Sequence, residues 1–385
     1  MREFDMIVDR PIRMAMIGGG PGSFIGPIHR MAAELDARIR LVAGTFSRDP
    51  GKGGSTARQW GIDLSRSYPD ADTLLRKERA RPDGADFITI ATPNHLHFPV
   101  ACAALRAGFH VMSDKPAALD LKQASTLAQT VAESGKLYGL TYSYAGYPAI
   151  RAARAMVRRG DLGPIRKVMV DYSQGWLSRP IEREGDKQAA WRADPAQAGV
   201  GGCIGDIGVH AFHLAEFVSG LEVERLCADV ATVVPGRVLD DDCHVLLKFS
   251  GRARGMLTAS QVSTGARNNL ILRIYGESGG VTWSHERQAE LTIDRPNGPT
   301  QTWHVGMAGL GPDATSATRL PTGHPEGFIE AFANLYTDFA RAISEGRREA
   351  SEVPGIADGV RGMAFVETAL KSQETASWIE LECAI

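Results

Sequence analysis

The sequence predicts an α/β Rossmann nucleotide-binding domain joined to an α+β domain with an open, mainly antiparallel sheet, and three observations carry that prediction. Over the first ~140 residues short apolar runs alternate with helical patterns, as in a parallel sheet with crossover helices. A glycine-rich stretch, GGGPGSFIGPIH (18 to 29), follows the first of those runs. From about Tyr142 longer alternating runs succeed one another across short turns, the texture of antiparallel strands.

Taken in order, the runs RMAMIG (13 to 18), IRLVAGT (39 to 45), ADFITIAT (85 to 92), GFHVMS (108 to 113) and KLYGLT (136 to 141) read as parallel strands, with helices near 27 to 35, 52 to 60, 95 to 107 and 120 to 134. A helix over 147 to 159 leads into IRKVMVDYS (165 to 173), VERLCADVATVV (223 to 234), CHVLLKFS (243 to 250), ARGMLTASQV (253 to 262) and LILRIYG (270 to 276), each alternating as a half-buried strand does. Further helices are expected at 205 to 219, 326 to 344 and 355 to 373, and the polar, glycine-rich stretch from 296 to 325 reads as one long loop. The expected boundary divides 1 to 141 from 142 to 385, with the last helix placed to pack back on the first domain.

Composition narrows the function. Of 385 residues, 43% are hydrophobic and 23% charged, and the formal net charge is -2, so no basic excess attracts nucleic acid or an anionic membrane. The opening MREFDMIVDR does not resemble a signal peptide, and no run approaches the ~18 uncharged apolar residues of a membrane span, so a cytoplasmic protein is expected. Five scattered cysteines without a CxxC pair argue against a disulfide framework and against a zinc knuckle, and no metal is expected.

In a doubly wound sheet, ligands bind outside the carboxyl ends of the strands, so the loops there are the first candidates. Gly18, Gly20 and Gly22 supply a tight turn and close approach of a pyrophosphate to backbone amides; if Gly26 is the third glycine of a GxGxxG pattern, the turn holds three extra residues. The next strand tip, where an acid normally meets the adenosine ribose, reads Ser47-Arg48, a pair suited to a 2'-phosphate, so NAD(P) is expected with a lean to NADP. Thr92, Pro93, Asn94 and His97 follow the strand at 85 to 92, with Asn94 placed to cap the next helix, and Lys115 follows the strand at 108 to 113.

The run TPNHLHFPVACAALRAGFHVMSDKP (92 to 116), with RRGDLGPIRKV (158 to 168) and GGCIGDIGVHAFHLAEF (201 to 217), resembles the Gfo/Idh/MocA oxidoreductases, with Asp114 where that family's EKP signature has Glu. The resemblance runs from Met14 to the last helix. It implies a second domain that commonly mediates oligomerisation, here as a homodimer or homotetramer, and a sugar, sugar derivative or cyclitol as substrate. It also makes Lys115, Asp206 and His210 the catalytic set. The longer glycine turn and Ser47-Arg48 are the departures.

Asp206, His210 and His213 share one stripe of the helix expected at 205 to 219. An imidazole titrates near neutral pH, so His210 suits a general base; Asp206 binds a substrate hydroxyl or orients the ring, and Lys115 donates to the reacting oxygen. The roles of Lys115 and His210 are interchangeable on sequence alone. Tyr144, Trp191, Arg192 and His213 complete the expected substrate contacts. Three alternatives stand beside the dehydrogenase: a redox-neutral NAD-dependent glycosidase, an NAD(P)H-sensing binding protein, and a hydrolase with a metal on Asp206, His210 and His213.

Overall fold

A computed structural model of the chain describes residues 10 to 383. The chain divides into two compact units, which among the described residues are 10 to 143 with 328 to 360, and 144 to 327 with 361 to 383.

The nucleotide unit runs β1 (Ile12–Gly18), α1 (Ile25–Glu34), β2 (Ile39–Thr45), α2 (Pro50–Gln59), α3 (Ala71–Arg79), β3 (Phe87–Ala91), α4 (His97–Arg106), β4 (His110–Ser113), α5 (Leu121–Ser134) and β5 (Tyr138–Leu140). Its strands form a parallel sheet in the order β2-β1-β3-β4-β5. Met14, Met16, Leu41, Phe87 and Met112 are buried in one cluster, and near-continuous apolar strands are what a sheet covered on both faces requires.

The second unit begins with α6 (Pro148–Arg158), β6 (Ile165–Ser173), α7 (Lys187–Arg192) and α8 (Pro195–Ala198), then a π-helical turn (Ile204–Gly208) that runs straight into α9 (Val209–Ser219). It continues with β7 (Val223–Ala231), β8 (Asp242–Phe249), β9 (Arg254–Ser260), β10 (Asn269–Gly276), β11 (Gly280–Ser284), β12 (Glu290–Asp294), β13 (Gln301–His304) and α10 (Pro312–Ser316). After α11 (Phe328–Ser344) and α12 (Ile356–Thr375) comes β14 (Ile379–Glu380), and the sheet order is β13-β12-β11-β10-β6-β9-β8-β7-β14. Its pairings are antiparallel except β6 with β9. Val245, Leu247, Leu257, Leu270 and Leu272 point inward, while Leu246 and Met256, paired across β8 and β9, point outward.

Three expectations need correction. The stretch from 296 to 325 is not one loop, because β13 and α10 lie within it. Asn94 does not cap α4: it opens a tight turn (Asn94–Leu96), and α4 starts at His97 with no side-chain cap. The expected second domain ran from 142 to 385, with the last helix packing back on the first, whereas helix α11 and the first residues of α12 fall in the nucleotide unit. Among the described residues no helix is long and apolar enough to cross a membrane. Cys102, Cys203 and Cys243 are buried and Cys227 and Cys383 are half-buried, all as free thiols.

Helix α11 meets α1 around a buried polar group. His29 Nδ1 lies 2.7 Å from the Tyr336 hydroxyl, which lies 3.1 Å from Thr89 Oγ1 on β3. Burial pushes the His29 pKa down to about 4, with Asp114 opposing the shift and His97 adding to it. Unfolded chain therefore binds a proton near pH 6.5 that the folded chain refuses until about pH 4, so stability present at neutral pH is lost as pH falls through that window. From pH 7 to pH 5 the loss from this group is on the order of 1–2 kcal/mol. Thermal melts of wild type and His29→Gln at both pH values test this: the drop in Tm on acidification is smaller in the variant, and an equal drop would show that His29 is not its source.

Candidate active site

Each unit carries its own set of candidate residues. In the nucleotide unit, β1 ends at Gly18 and the turn that follows uses positive φ at Gly18, Gly19 and Gly22 (+95°, +75° and +77°), a region where side chains are strained. A Cβ on Gly20 would fall 1.7 Å from the Phe46 carbonyl oxygen, and one on Gly26 would fall 2.2 Å from Gly19 Cα. Gly20 thus lets the turn lie against the tip of β2, and Gly26 lets α1 dock on the turn. Gly26 fills the third-glycine role in spite of the three extra residues.

The helix starts reinforce this reading. Asp49, Asp70 and Asp120 cap α2, α3 and α5, whereas α1 has no acidic residue in its first turn and no side-chain bond from Phe24, its N-cap residue. An N-terminus whose dipole is not met by a carboxylate suits an anion, so the residues present fit the pyrophosphate of a dinucleotide. At the β2 tip Ser47 Oγ accepts from the Asp49 amide (3.1 Å), and the Asp49 carboxylate is held by the Gly51 and Lys52 amides. Arg48 is exposed.

Thr92, Pro93 and Asn94 form the turn after β3, and Lys115 the turn after β4. The Lys115 amide and the Thr141 hydroxyl both donate to Asp114 Oδ1 at 2.9 Å, and the Lys115–Pro116 peptide is cis. His97 is only 1% exposed, with Nδ1 2.7 Å from the Pro116 carbonyl oxygen and Nε2 2.9 Å from that of Thr92. That placement makes it a strut between the two turns.

In the second unit the candidate residues radiate from the π-helical turn and α9. Gln261 Nε2 donates to Asp206 Oδ2 (2.9 Å), and Arg192 Nε lies 3.3 Å from the same oxygen. The guanidinium of Arg192 stacks 4.1 Å over the Trp191 ring and stands 5.8 Å from that of Trp176, while its Nη1 donates to Gln188. One turn on, His210 is 8% exposed, and the Tyr144 ring packs edge-on against it at 5.2 Å and 87°. His213 is buried and stacks on Phe217 at 5.4 Å. Among the described residues no three His, Cys, Asp or Glu side chains are grouped to hold a metal.

Behind His210 lies a closed hydrogen-bonded ring. Asn268 Nδ2 donates to the Tyr144 oxygen (3.2 Å), and the Tyr172 hydroxyl donates to Asn268 Oδ1 (2.7 Å). The two phenol oxygens are 2.6 Å apart, so Tyr144 donates to Tyr172. Burial pushes the Tyr144 hydroxyl up to about 12, which keeps it a neutral donor. Gln174 joins the ring through Asn268 and accepts from Trp176 Nε1. Tyr144, expected to face substrate, is buried with its hydroxyl spent in this ring. Gln261, Tyr172, Asn268 and Gln174 were not expected at all, because each lies in or just beyond an ordinary alternating run and carries no spacing signal.

A parallel sheet with a glycine cradle at its first helix, in a chain whose second unit has a helix bearing Asp206 and His210, points to a nucleotide-dependent oxidoreductase. Residues 12–142 match the model of the oxidoreductase family with an NAD-binding Rossmann fold, and residues 150–282 match the GFO/IDH/MocA C-terminal domain. The oxidoreductase YfiI of Bacillus subtilis (strain 168) is 32% identical over 98% of this chain and 99% of its own length. An inositol dehydrogenase homolog of Azotobacter vinelandii complexed with NAD+ matches with a TM-score of 0.94 at 37% identity, over 99% of this chain and 100% of that one. The complex titled with NADH and myo-inositol, from the same organism, matches with a TM-score of 0.89 at 36% identity, over 96% and 98%. The chain belongs to the Gfo/Idh/MocA oxidoreductase family.

Replacing Gly26 with Ala forces α1 off the turn. Such overpacking costs about 1–3 kcal/mol, so NADH affinity measured by fluorescence titration falls roughly tenfold or more. Unchanged affinity would show that this turn does not take the dinucleotide.

Proposed function

We propose that the protein is an NAD(P)-dependent dehydrogenase or reductase of a sugar, sugar derivative or cyclitol, interconverting a secondary carbinol and its ketone. The observation that carries this reading is the Asp206 carboxylate, held by Gln261 and Arg192 one helical turn before His210, in a chain with an NAD-binding Rossmann unit. Bound nicotinamide supplies the hydride acceptor or donor. His210 takes the proton of the carbinol hydroxyl during oxidation and returns it during reduction. Asp206 accepts a hydrogen bond from a substrate hydroxyl, and Lys115 donates one to the reacting oxygen, where negative charge develops. In an exchanged assignment Lys115 handles the proton and His210 the hydrogen bond.

The half-exposed Trp191 with Arg192 stacked on it, and the exposed edge of Trp176, offer an apolar face to a sugar ring beside polar groups for its hydroxyls. Tyr144 acts through the ring of His210, and His213 packs within the helix layer. The myo-inositol named for the Azotobacter vinelandii homolog places cyclitols first among the substrates to try.

For the cofactor, Asp49 is occupied as a helix cap and Arg48 is exposed, which favours NADP, while the NAD+ and NADH of the homologous complexes favour NAD. We place NADP first. The outward pair Leu246 and Met256, with Met169 beside Met256, supports a homodimer or homotetramer through this sheet face. A cytoplasmic location and the absence of nucleic-acid or membrane partners complete the reading.

A polyol panel read by nicotinamide absorbance in both directions tests the activity. His210→Ala is expected to lower kcat by about 10²- to 10⁴-fold while leaving NADH affinity unchanged. Loss of cofactor affinity instead would show that the helix is structural. If the wild type binds cofactor and turns over no polyol, the sensor reading takes its place; cleavage of a glycoside with cofactor that does not exchange would establish the glycosidase. For the cofactor, Arg48→Ala weakens NADPH about tenfold, the worth of one charged hydrogen bond, and NADH hardly at all. Equal weakening of both would remove the 2'-phosphate from the reading.

A further inference from the structure

Three consecutive amides at the start of the site helix converge on one residue. Gly202 N donates to Asp240 Oδ1 (2.6 Å), Cys203 N to the Asp240 carbonyl oxygen (2.8 Å) and Ile204 N to Asp240 Oδ2 (2.7 Å). Asp240 is 8% exposed, and Gly202 leaves no room for a side chain, since a Cβ there would fall 2.2 Å from the Asp240 carbonyl oxygen. The π-helical turn begins at Ile204, the last of the three anchored amides, and Asp206 lies within it.

The next residue anchors the surroundings of the same carboxylate. The Asp241 carbonyl oxygen accepts from Gln261 N (2.9 Å), and Gln261 is the residue whose side chain holds Asp206. The Asp241 carboxylate accepts from the Val233 and Val234 amides and from Arg237 Nη1. Arg237 in turn donates to the carbonyl oxygens of Leu177 and Arg179 and to Glu182, fixing the segment that follows Trp176. Two adjacent residues thus set the origin of the site helix, the position of Gln261 and the course of the loop beside Arg192.

We propose that Asp240 is a positioning residue of the active site: by holding the amides of Gly202, Cys203 and Ile204 it fixes the π-helical turn and, through it, the placement of Asp206 and His210. The role rests on the assignment of those two residues to the reaction. Two carboxylate oxygens are required, because an amide side chain at this position would accept one amide and set its own N–H groups against the other. The reason the effect reaches chemistry is geometric: a shift of about 1 Å in a reacting group, caused from a distance, lowers a rate by ~10²-fold.

The test compares wild type with Asp240→Asn and Asp240→Ala in the full chain. NADH affinity is expected to stay within about twofold in Asp240→Asn, because the dinucleotide turn lies in the other unit, and kcat with myo-inositol to fall about 10²-fold with KM changed far less. The imidazole resonances of His210, assigned by their loss in His210→Ala, are expected to move in both Asp240 variants. Unchanged resonances and a kcat within about threefold of wild type would overturn the proposal, as would loss of NADH binding together with the melting transition in Asp240→Asn, which marks a purely structural role. If wild type turns over neither myo-inositol nor any other polyol, the proposed substrate class fails, while the His210 resonances still decide the role of Asp240.

Discussion

The second unit depends on how a helix start is satisfied inside the protein. The first amides of any helix have no acceptor within it, and leaving them buried and unpaired costs about as much as lost hydrogen bonds. Here Asp240 takes three of them at once. Burial pushes its carboxyl up to about 6, the amides of Ile204 and Gly202 pull it back, and Asp241 beside it pushes it further up. The charge is kept in the interior by the donors it organises. That mutual dependence explains why the helix opens with a wide turn containing Gly205 and Gly208 instead of a capped α-helical one.

The nucleotide unit solves its own problem by other means. Its turn relies chiefly on the absence of side chains, with Gly20 against the Phe46 carbonyl and Gly26 against Gly19, while the Ser23 hydroxyl accepts from the Gly26 amide at 3.1 Å. Acidic caps serve α2, α3 and α5 and are missing at α1 and α4, and at α1 the absence of a carboxylate leaves the helix dipole open to an anion. The extra residues of the turn are accommodated because the third glycine is defined by where the helix touches the turn, and that contact is kept wherever a glycine meets it.

What was legible in the sequence follows from the range of the forces involved. The five parallel strands, the helix bearing His210 and the glycines of the turn are local patterns, written in periodicity or in residues that alone tolerate positive φ. Helix α3, ADTLLRKER, was missed because Leu74 and Leu75 are nearly its whole apolar stripe. Strand β13 and helix α10 were hidden in a stretch rich in glycine and proline, and Asn94 was expected to cap a helix that begins three residues later. Gln261, Asn268 and Asp240 act on residues 36 to 124 positions away, and no spacing rule reaches that far. Asp206 and His210 were legible as candidates; the scaffold holding them was not.

That scaffold assigns Tyr144 its part. Within the ring of Tyr144, Tyr172 and Asn268 each donor meets an acceptor, and a closed set of buried hydrogen bonds is stronger and stiffer than the same bonds in an open chain. The Tyr144 hydroxyl is consumed there, so what the residue presents to His210 is its ring, at 87° to the imidazole. The orientation of His210 is therefore set in part by aromatic packing against a phenol that stays neutral through the ordinary pH range. In the proposed role of His210 as base, this packing would hold the ring in place while the Tyr144 hydroxyl, spent in its own ring of hydrogen bonds, stays neutral.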